Sequence, residues 1–213
     1  MSQTIAVIDY GTGNLHSVVK AIEHVAEPGD RVVLTADPAQ VRAADRIVFP
    51  GQGAARDCMA ELTGKGLDAV VREVAADRPF LGICMGLQVL MTHSEENGGT
   101  ELLNLFAGQV RRFPADLPAR GMKVPHMGWN TLRQLRPHPL FAGIENPAYF
   151  YFVHSYHVVP DDPALAVGEA EYGLPFTAAI ARDNVFAIQS HPEKSARAGL
   201  RLLHNFLRWN GAA

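Results

Sequence analysis

The chain has 213 residues, of which 47% are hydrophobic and 19% charged, enough for one folded domain with a sizeable core and too apolar for a disordered segment. Its formal net charge is −3 and no basic tract breaks the balance, which excludes an electrostatic footprint for nucleic acid. No apolar run approaches the roughly 20 residues that cross a bilayer.

The first half reads as strands alternating with helices. Residues 4–10, TIAVIDY, form a short Ile- and Val-rich run suited to a strand buried on both faces. The run stops at Asp9 and has no basic leader, so it is not an export signal, and a cytoplasmic location is expected. Residues 14–25 place Leu15, Val18, Val19, Ile22 and Val25 at helical spacing, with Asn14 as N-cap. Strands are predicted at 31–35 and 45–51, and a helical stretch over 55–76 with breaks at Gly64 and Gly66. A buried strand at 78–84 then leads into a helix at 85–93. Such alternation predicts a parallel sheet covered by helices on both faces.

The second half turns β-rich, with short runs separated by Pro and Gly: GQVRRF, GWNTL, YFYFV, LAVGEAE, FTAAIA and VFAIQS. A final helix carries Leu200, Leu203, Phe206 and Leu207 on one face. The expected architecture is one α/β domain over residues 1–213: a central, mostly parallel sheet flanked by helices, with an additional antiparallel β region.

Two cysteines, Cys58 and Cys84, make neither a disulfide framework nor a CxxC metal site. Cys84 stands in GICMG, between a predicted strand and a predicted helix. That is the nucleophile-elbow pattern, with small neighbours tolerating a sharp, strained turn and a helix N-terminus favouring a thiolate. The Met85 amide is placed to stabilise an oxyanion. Cys58 lies in a helical stretch and reads as packing.

A thiol nucleophile needs a proton carrier. In QSHPEKS, His191 follows a buried strand, so it should reach the C-terminal edge of the sheet, where open α/β sheets collect their sites. Glu193, two residues on, points to the same side if the segment is extended, and would hold the imidazole tautomer. The plainer alternative is a surface loop ending in a helix cap. His154 and His157 in HSYH fall on opposite faces of a continuous strand and lack further ligands, so no metal is expected. GTGN after the first strand is half of a dinucleotide fingerprint. His16 occupies its third glycine position, so nucleotide binding is rejected and no cofactor is expected.

Together GICMG, QSHPEKS and FPGQGA (49–54) resemble the class I, triad-type glutamine amidotransferases over the whole chain. KVPHMGWN (123–130), YFVHSYH (151–157) and DYGTGNLHS (9–17) narrow the resemblance to the glutaminase subunits of imidazole glycerol phosphate synthase. The resemblance implies a class I glutamine amidotransferase-like, flavodoxin-like fold and a triad of Cys84, His191 and Glu193 acting on L-glutamine through a thioester. PGQG would be the oxyanion strand, with Gly51, Gln52 and Gly53, where the Gln52 or Gly53 amide completes the hole beside Met85. Gln88 and Glu96 would bind the glutamine head group, and the backbone of His154, Ser155 and Tyr156 its other end. The implied partner is a (β/α)8-barrel cyclase subunit in a heterodimer, docked near Gly11, Asn14, Trp129, Tyr151 and Lys194. Trp129 and Tyr151 are equally compatible with a core position. A glutaminase for another synthase (anthranilate, p-aminobenzoate or pyridoxal phosphate) and an intracellular cysteine peptidase remain open alternatives.

Overall fold

The computed structural model describes residues 2–11 and 15–212. The predicted N-cap Asn14 and the rest of the GTGN turn beyond Gly11 lie outside them. Thr4–Ile8 (β1), Arg31–Thr35 (β2), Arg46–Gly51 (β3) and Phe80–Cys84 (β4) are strands. Between them run helices Leu15–Val25 (α1), Pro38–Ala43 (α2), Ala55–Gly64 (α3) and Leu67–Val74 (α4). Met85–Gln88 is the short α5. Strands His93–Ser94 (β5), Thr100–Glu101 (β6), Gly108–Arg112 (β7), His126–Gln134 (β8), Ala148–His154 (β9) and Tyr156–Pro160 (β10) follow. Ala166–Glu171 (β11), Pro175–Arg182 (β12), Val185–Ile188 (β13) and the helix Ala196–Arg208 (α6) complete the chain.

The sheet runs β2-β1-β3-β4-β13-β12-β10-β7-β5-β6, with β11 joining β12 to β8 and β8 pairing β9. Strands β2, β1, β3, β4 and β13 are mutually parallel, while β12, β10 and β7 continue the sheet antiparallel. The expected mixture of a parallel centre and an antiparallel extension is what forms.

Burial on both faces explains the continuous apolar runs of the central strands. In β1, Ala6 and Ile8 join one core with Cys58, Leu62, Val70 and Val74 of α3 and α4. Ile5 and Val7 join the other with Val18 and Ile22 of α1 and Leu203 and Phe206 of α6. The α6 stripe is displaced slightly from the predicted one: Gly199, Leu202, Leu203, Phe206 and Leu207 are buried, and Leu200 is only partly so.

The predicted helix over 85–93 ends after one turn. Every residue from Met85 to Met91 is buried, so no polar stripe marks where helical winding stops. The carbonyls of Val89, Leu90 and Met91 are taken by the amides of Leu103, Leu105 and Asn104, and Thr92 N–H bonds Gly108 O. These contacts pull the chain into β5. HSYH is not one continuous strand: β9 ends at His154, the backbone bends at Ser155, and β10 starts at Tyr156. His154 and His157 therefore do not fall on opposite faces: both rings pack on Phe113, at 5.1 and 5.2 Å.

Candidate active site

The C-terminal ends of β3, β4 and β13 meet at one edge of the sheet, and the register sets who meets whom. Gly51 pairs with Cys84, and Ile188 with Ile83. Cys84 is the residue at which β4 turns into α5, with φ 56° and ψ −110°. A non-glycine residue there stores backbone strain that the surrounding packing must hold. The packing is tight enough to do so: a Cβ added at Gly86 would lie 1.8 Å from Phe49 O, and one at Gly82 would lie 2.8 Å from Gly86 O. The turn brings Met85 to the first position of α5, where its amide has no intrahelical acceptor.

His191 is pinned by its backbone. Its N–H bonds Tyr151 O at 2.8 Å, and its carbonyl accepts from Ser195 Oγ at 2.6 Å. Pro192–Lys194 winds as a 3-10 turn, where an extended segment was expected. The turn still brings Glu193 Oε1 to 2.8 Å from His191 Nδ1, and both side chains are 2% exposed. His191 Nε2 is buried and meets no nitrogen or oxygen among the described residues. The group that faces it is Cys84. Burial by itself lowers the His191 pKa, but the Cys84 sulfur and the Glu193 carboxylate outweigh it and push the value up to about 10. Nδ1 is committed to the carboxylate, which leaves Nε2 to exchange protons on the sulfur side.

Beside the sulfur opens a cleft of about 330 Å³ that gathers Gln52, Gly53, Cys84, Met85, Gln88, Glu96, His154, Ser155 and Tyr156. Gly51 lies one residue below, lining the small gap beside His191 and Glu193. The substrate-binding set read from the sequence thus converges on one place. Glu96 Oε2 accepts from Ala55 N at 2.7 Å and so caps α3. Gln52 O accepts from the Cys58 thiol at 3.4 Å. In a trans peptide the Gly53 N–H then points the opposite way, away from α3. Gly53 has φ 95°, a conformation glycine adopts at little cost.

One wall of the cleft carries His154, with His126 bonded behind it. Tyr156 O takes the Nδ1–H of His154 at 2.8 Å, and His154 Nε2 lies 2.9 Å from His126 Nδ1. Asn130 Nδ2 in turn lies 3.3 Å from His126 Nε2. Each histidine then donates from one nitrogen and accepts at the other. Burial pushes the His126 pKa down to about 4 and that of His154 to about 3. Among the described residues no group of three His, Cys, Asp or Glu is placed to hold a metal ion.

Trp129 and Tyr151 are cross-strand partners on the hairpin β8–β9, with ring centroids 6.0 Å apart. They are not core aromatics: Trp129 is 52% exposed, and Met127 and Tyr149 on the same hairpin are exposed too. Lys194 lines the cleft itself, and Gly11 is exposed where the chain leaves β1. Sequence reasoning missed Pro125 and Val153, which also line the cleft. It missed Gln189 as well, whose Nε2 lies 3.7 Å from Cys84 Sγ. Gln189 opens the QSHPEKS segment, but nothing in that segment assigns it a role; the pairing of β13 with β4 is what brings it to the sulfur.

A strained cysteine at a strand–helix elbow, with an imidazole–carboxylate pair just past the end of the neighbouring parallel strand, defines a thiol hydrolase built on an open α/β sheet. The family model "Glutamine amidotransferase class-I" matches residues 6–209. The chain is 60% identical over 211 residues to an "Imidazole glycerol phosphate synthase subunit HisH" of Dechloromonas aromatica, covering 97% of each chain. It is 56% identical to the protein named "HisH 1" in the same way from Pseudomonas aeruginosa, covering 99% of each. Among solved structures, one described as PurLQS from Thermotoga maritima superposes with a TM-score of 0.74 at 17% identity, covering 98% of this chain and 99% of that one. This last likeness concerns the fold alone. The chain belongs to the class-I glutamine amidotransferases and, within them, to the HisH family.

Proposed function

We propose that this chain is the glutaminase subunit of imidazole glycerol phosphate synthase. It hydrolyses L-glutamine to L-glutamate and ammonia and serves histidine biosynthesis in the cytoplasm. Residues 1–213 act as one glutaminase domain. The observation that carries this reading is the convergence of Cys84, the His191–Glu193 pair and the adjoining cleft at one sheet edge.

The Cys84 sulfur attacks the γ-carboxamide carbon of glutamine, and the carbonyl electron pair moves to oxygen. The Met85 amide, at the head of α5, and an amide of Gln52–Gly53 receive that oxyanion. His191 Nε2 protonates the departing nitrogen, the C–N bond breaks, and ammonia leaves behind a thioester. His191 then takes a proton from water, whose oxygen attacks the thioester carbon, and the C–S bond breaks to release glutamate. Glu193 holds the ring through Nδ1 in both steps. Gln88 and Glu96 bind the head group of the substrate, and the backbone of His154, Ser155 and Tyr156 borders it on the other side.

Ammonia set free in water at neutral pH is mostly protonated and no longer a nucleophile, so a docked acceptor enzyme is required. The partner is a cyclase subunit with a (β/α)8-barrel fold, forming a heterodimer. It lies over the active-site edge, against Trp129 and Tyr151 and near Gly11 and Lys194; the proposed contact at Asn14 falls outside the described residues. An apolar exposed face beside a catalytic cleft is what such a partner would cover.

The test is glutamate release from glutamine by the chain alone, with the cyclase subunit, and with the cyclase subunit carrying its own ligand. The rate should be low alone and rise with the liganded partner. Equal, high rates in all three conditions would refute the coupling, and no release in any of them would refute the activity.

A further inference from the structure

Gln189 is fully buried and sits between the nucleophile and the cleft wall. Ile188 of β13 pairs with Ile83 of β4, so the next residues of the two parallel strands, Gln189 and Cys84, come level at the sheet edge. The Gln189 amide N–H bonds Ala178 O at 2.8 Å, which fixes its backbone to β12. Its side chain is held at both ends: Oε1 accepts from Gln88 Nε2 at 2.9 Å, and Nε2 lies 3.7 Å from Cys84 Sγ.

Counting acceptors settles which way this carboxamide points. The Tyr156 carbonyl only accepts, and Gln88 reaches it at 3.2 Å, so the Gln88 atom there is nitrogen. The same nitrogen meets Gln189, which therefore turns oxygen to Gln88 and nitrogen to sulfur. An N–H aimed at sulfur favours the anion, because a thiolate is a far stronger acceptor than a thiol.

We propose that Gln189 is a catalytic residue: its Nε2–H donates to the Cys84 sulfur whenever that sulfur carries negative charge, while its Oε1 sets the Gln88 side chain. This rests on Cys84 being the nucleophile. During acylation the sulfur gives its electron pair to the γ-carbon and the N–H···S bond weakens. During deacylation the water oxygen bonds to the thioester carbon and its proton goes to His191 Nε2. The C–S bond then breaks, the electron pair returns to sulfur, and the Gln189 N–H meets it there.

The titratable groups around the sulfur are His191 from the β13–α6 connection, His154 from β9, Tyr156 from β10, and Glu96 and Lys194 across the cleft. Gln189 is uncharged, so replacing it alters the sulfur without removing a proton carrier. The experiment is the pH dependence of alkylation by iodoacetamide on the full chain, read by mass spectrometry on the Cys84 peptide separately from that of Cys58. Gln189→Glu keeps the acceptor for Gln88 and, with its carboxyl ionised, sets a charged oxygen against sulfur; Gln189→Met removes the donor without adding charge. Both should move the Cys84 midpoint alkaline by about one pH unit or more, as loss of a hydrogen bond to a charged group requires.

With the cyclase present, Gln189→Glu should lower kcat about tenfold or more with little change in KM, whereas Gln189→Met should also raise KM. A midpoint that stays put in either folded variant overturns the proposal. The wild-type chain supplies an independent measurement, in which the isotope-labelled Gln189 side-chain amide should shift in NMR spectra when Cys84 is alkylated. An unmoved signal also overturns the proposal. If wild-type alkylation of Cys84 fails to track loss of glutaminase activity, the nucleophile assignment falls instead.

Discussion

Gly51 and Cys84 are register partners at the ends of adjacent parallel strands. The proposed oxyanion strand and the proposed nucleophile therefore stand side by side, one sheet spacing apart. The next residues of each strand, Gln52 and Met85, open into the same cleft.

That juxtaposition depends on the absence of side chains around the elbow. In Gly86→Ala the new Cβ would lie 1.8 Å from the Phe49 carbonyl, so β3 or α5 must move. The variant should lose roughly 1–3 kcal/mol of stability and most of its glutaminase activity. Urea unfolding together with glutamate release checks both, and a wild-type midpoint would show that the elbow is looser than the packing indicates.

Glu193→Gln should reduce kcat less than Cys84→Ala, because the base remains and only its orientation and charge support are degraded. It should also change how stability depends on pH. The His191 pKa is raised in the folded state, so its contribution is full below the unfolded value of about 6.5 and is lost as pH rises through about 10. Thermal melts from pH 6.5 to 10 should fall steeply for the wild type and less steeply for the variant. Identical slopes would remove Glu193 from the pair.

The acid side is governed by other histidines. Burial lowers the His126 and His138 pKa values to about 4 and the His154 value to about 3. A depressed value means stability that is present above about pH 6.5 and lost as pH falls toward 4. His138 Nδ1 accepts from Leu140 N at 3.1 Å, so His138→Asn keeps an acceptor while removing the proton site. Its melting temperature should decline less than that of the wild type between pH 6.5 and 4.

Trp129→Ala should leave the isolated fold intact, since the indole is half exposed, and should weaken docking to the cyclase subunit. For a central aromatic anchor the loss is about 2 kcal/mol or more. Calorimetric titration of the two subunits measures it directly. An unchanged dissociation constant would place the interface elsewhere.

Much of this site was legible because its chemistry rides on local signals. The apolar runs of β1, β3 and β4, buried on both faces, announce a parallel sheet. GICMG carries its own steric reason in the contacts of Gly82 and Gly86 with the backbone. The HPE segment names the proposed base and the carboxylate that meets its ring, although the 3-10 turn that joins them is not what extended spacing suggested. The unread parts are those decided by tertiary contacts. The end of α5 depends on carbonyls captured by residues 103–105, and a run buried on every side has no periodicity to read. The exposure of Trp129 follows from which face of β8–β9 meets the core. Gln189 reaches the sulfur only through strand register, which no single segment encodes.

The most direct test of the central claim, that Cys84 is the nucleophile, is stoichiometric labelling with a glutamine-mimicking chloroketone or diazoketone, followed by peptide mapping. The adduct should sit on Cys84, with glutamate release lost in proportion and Cys58 untouched. An adduct on Cys58, or complete inactivation with Cys84 unmodified, would contradict it.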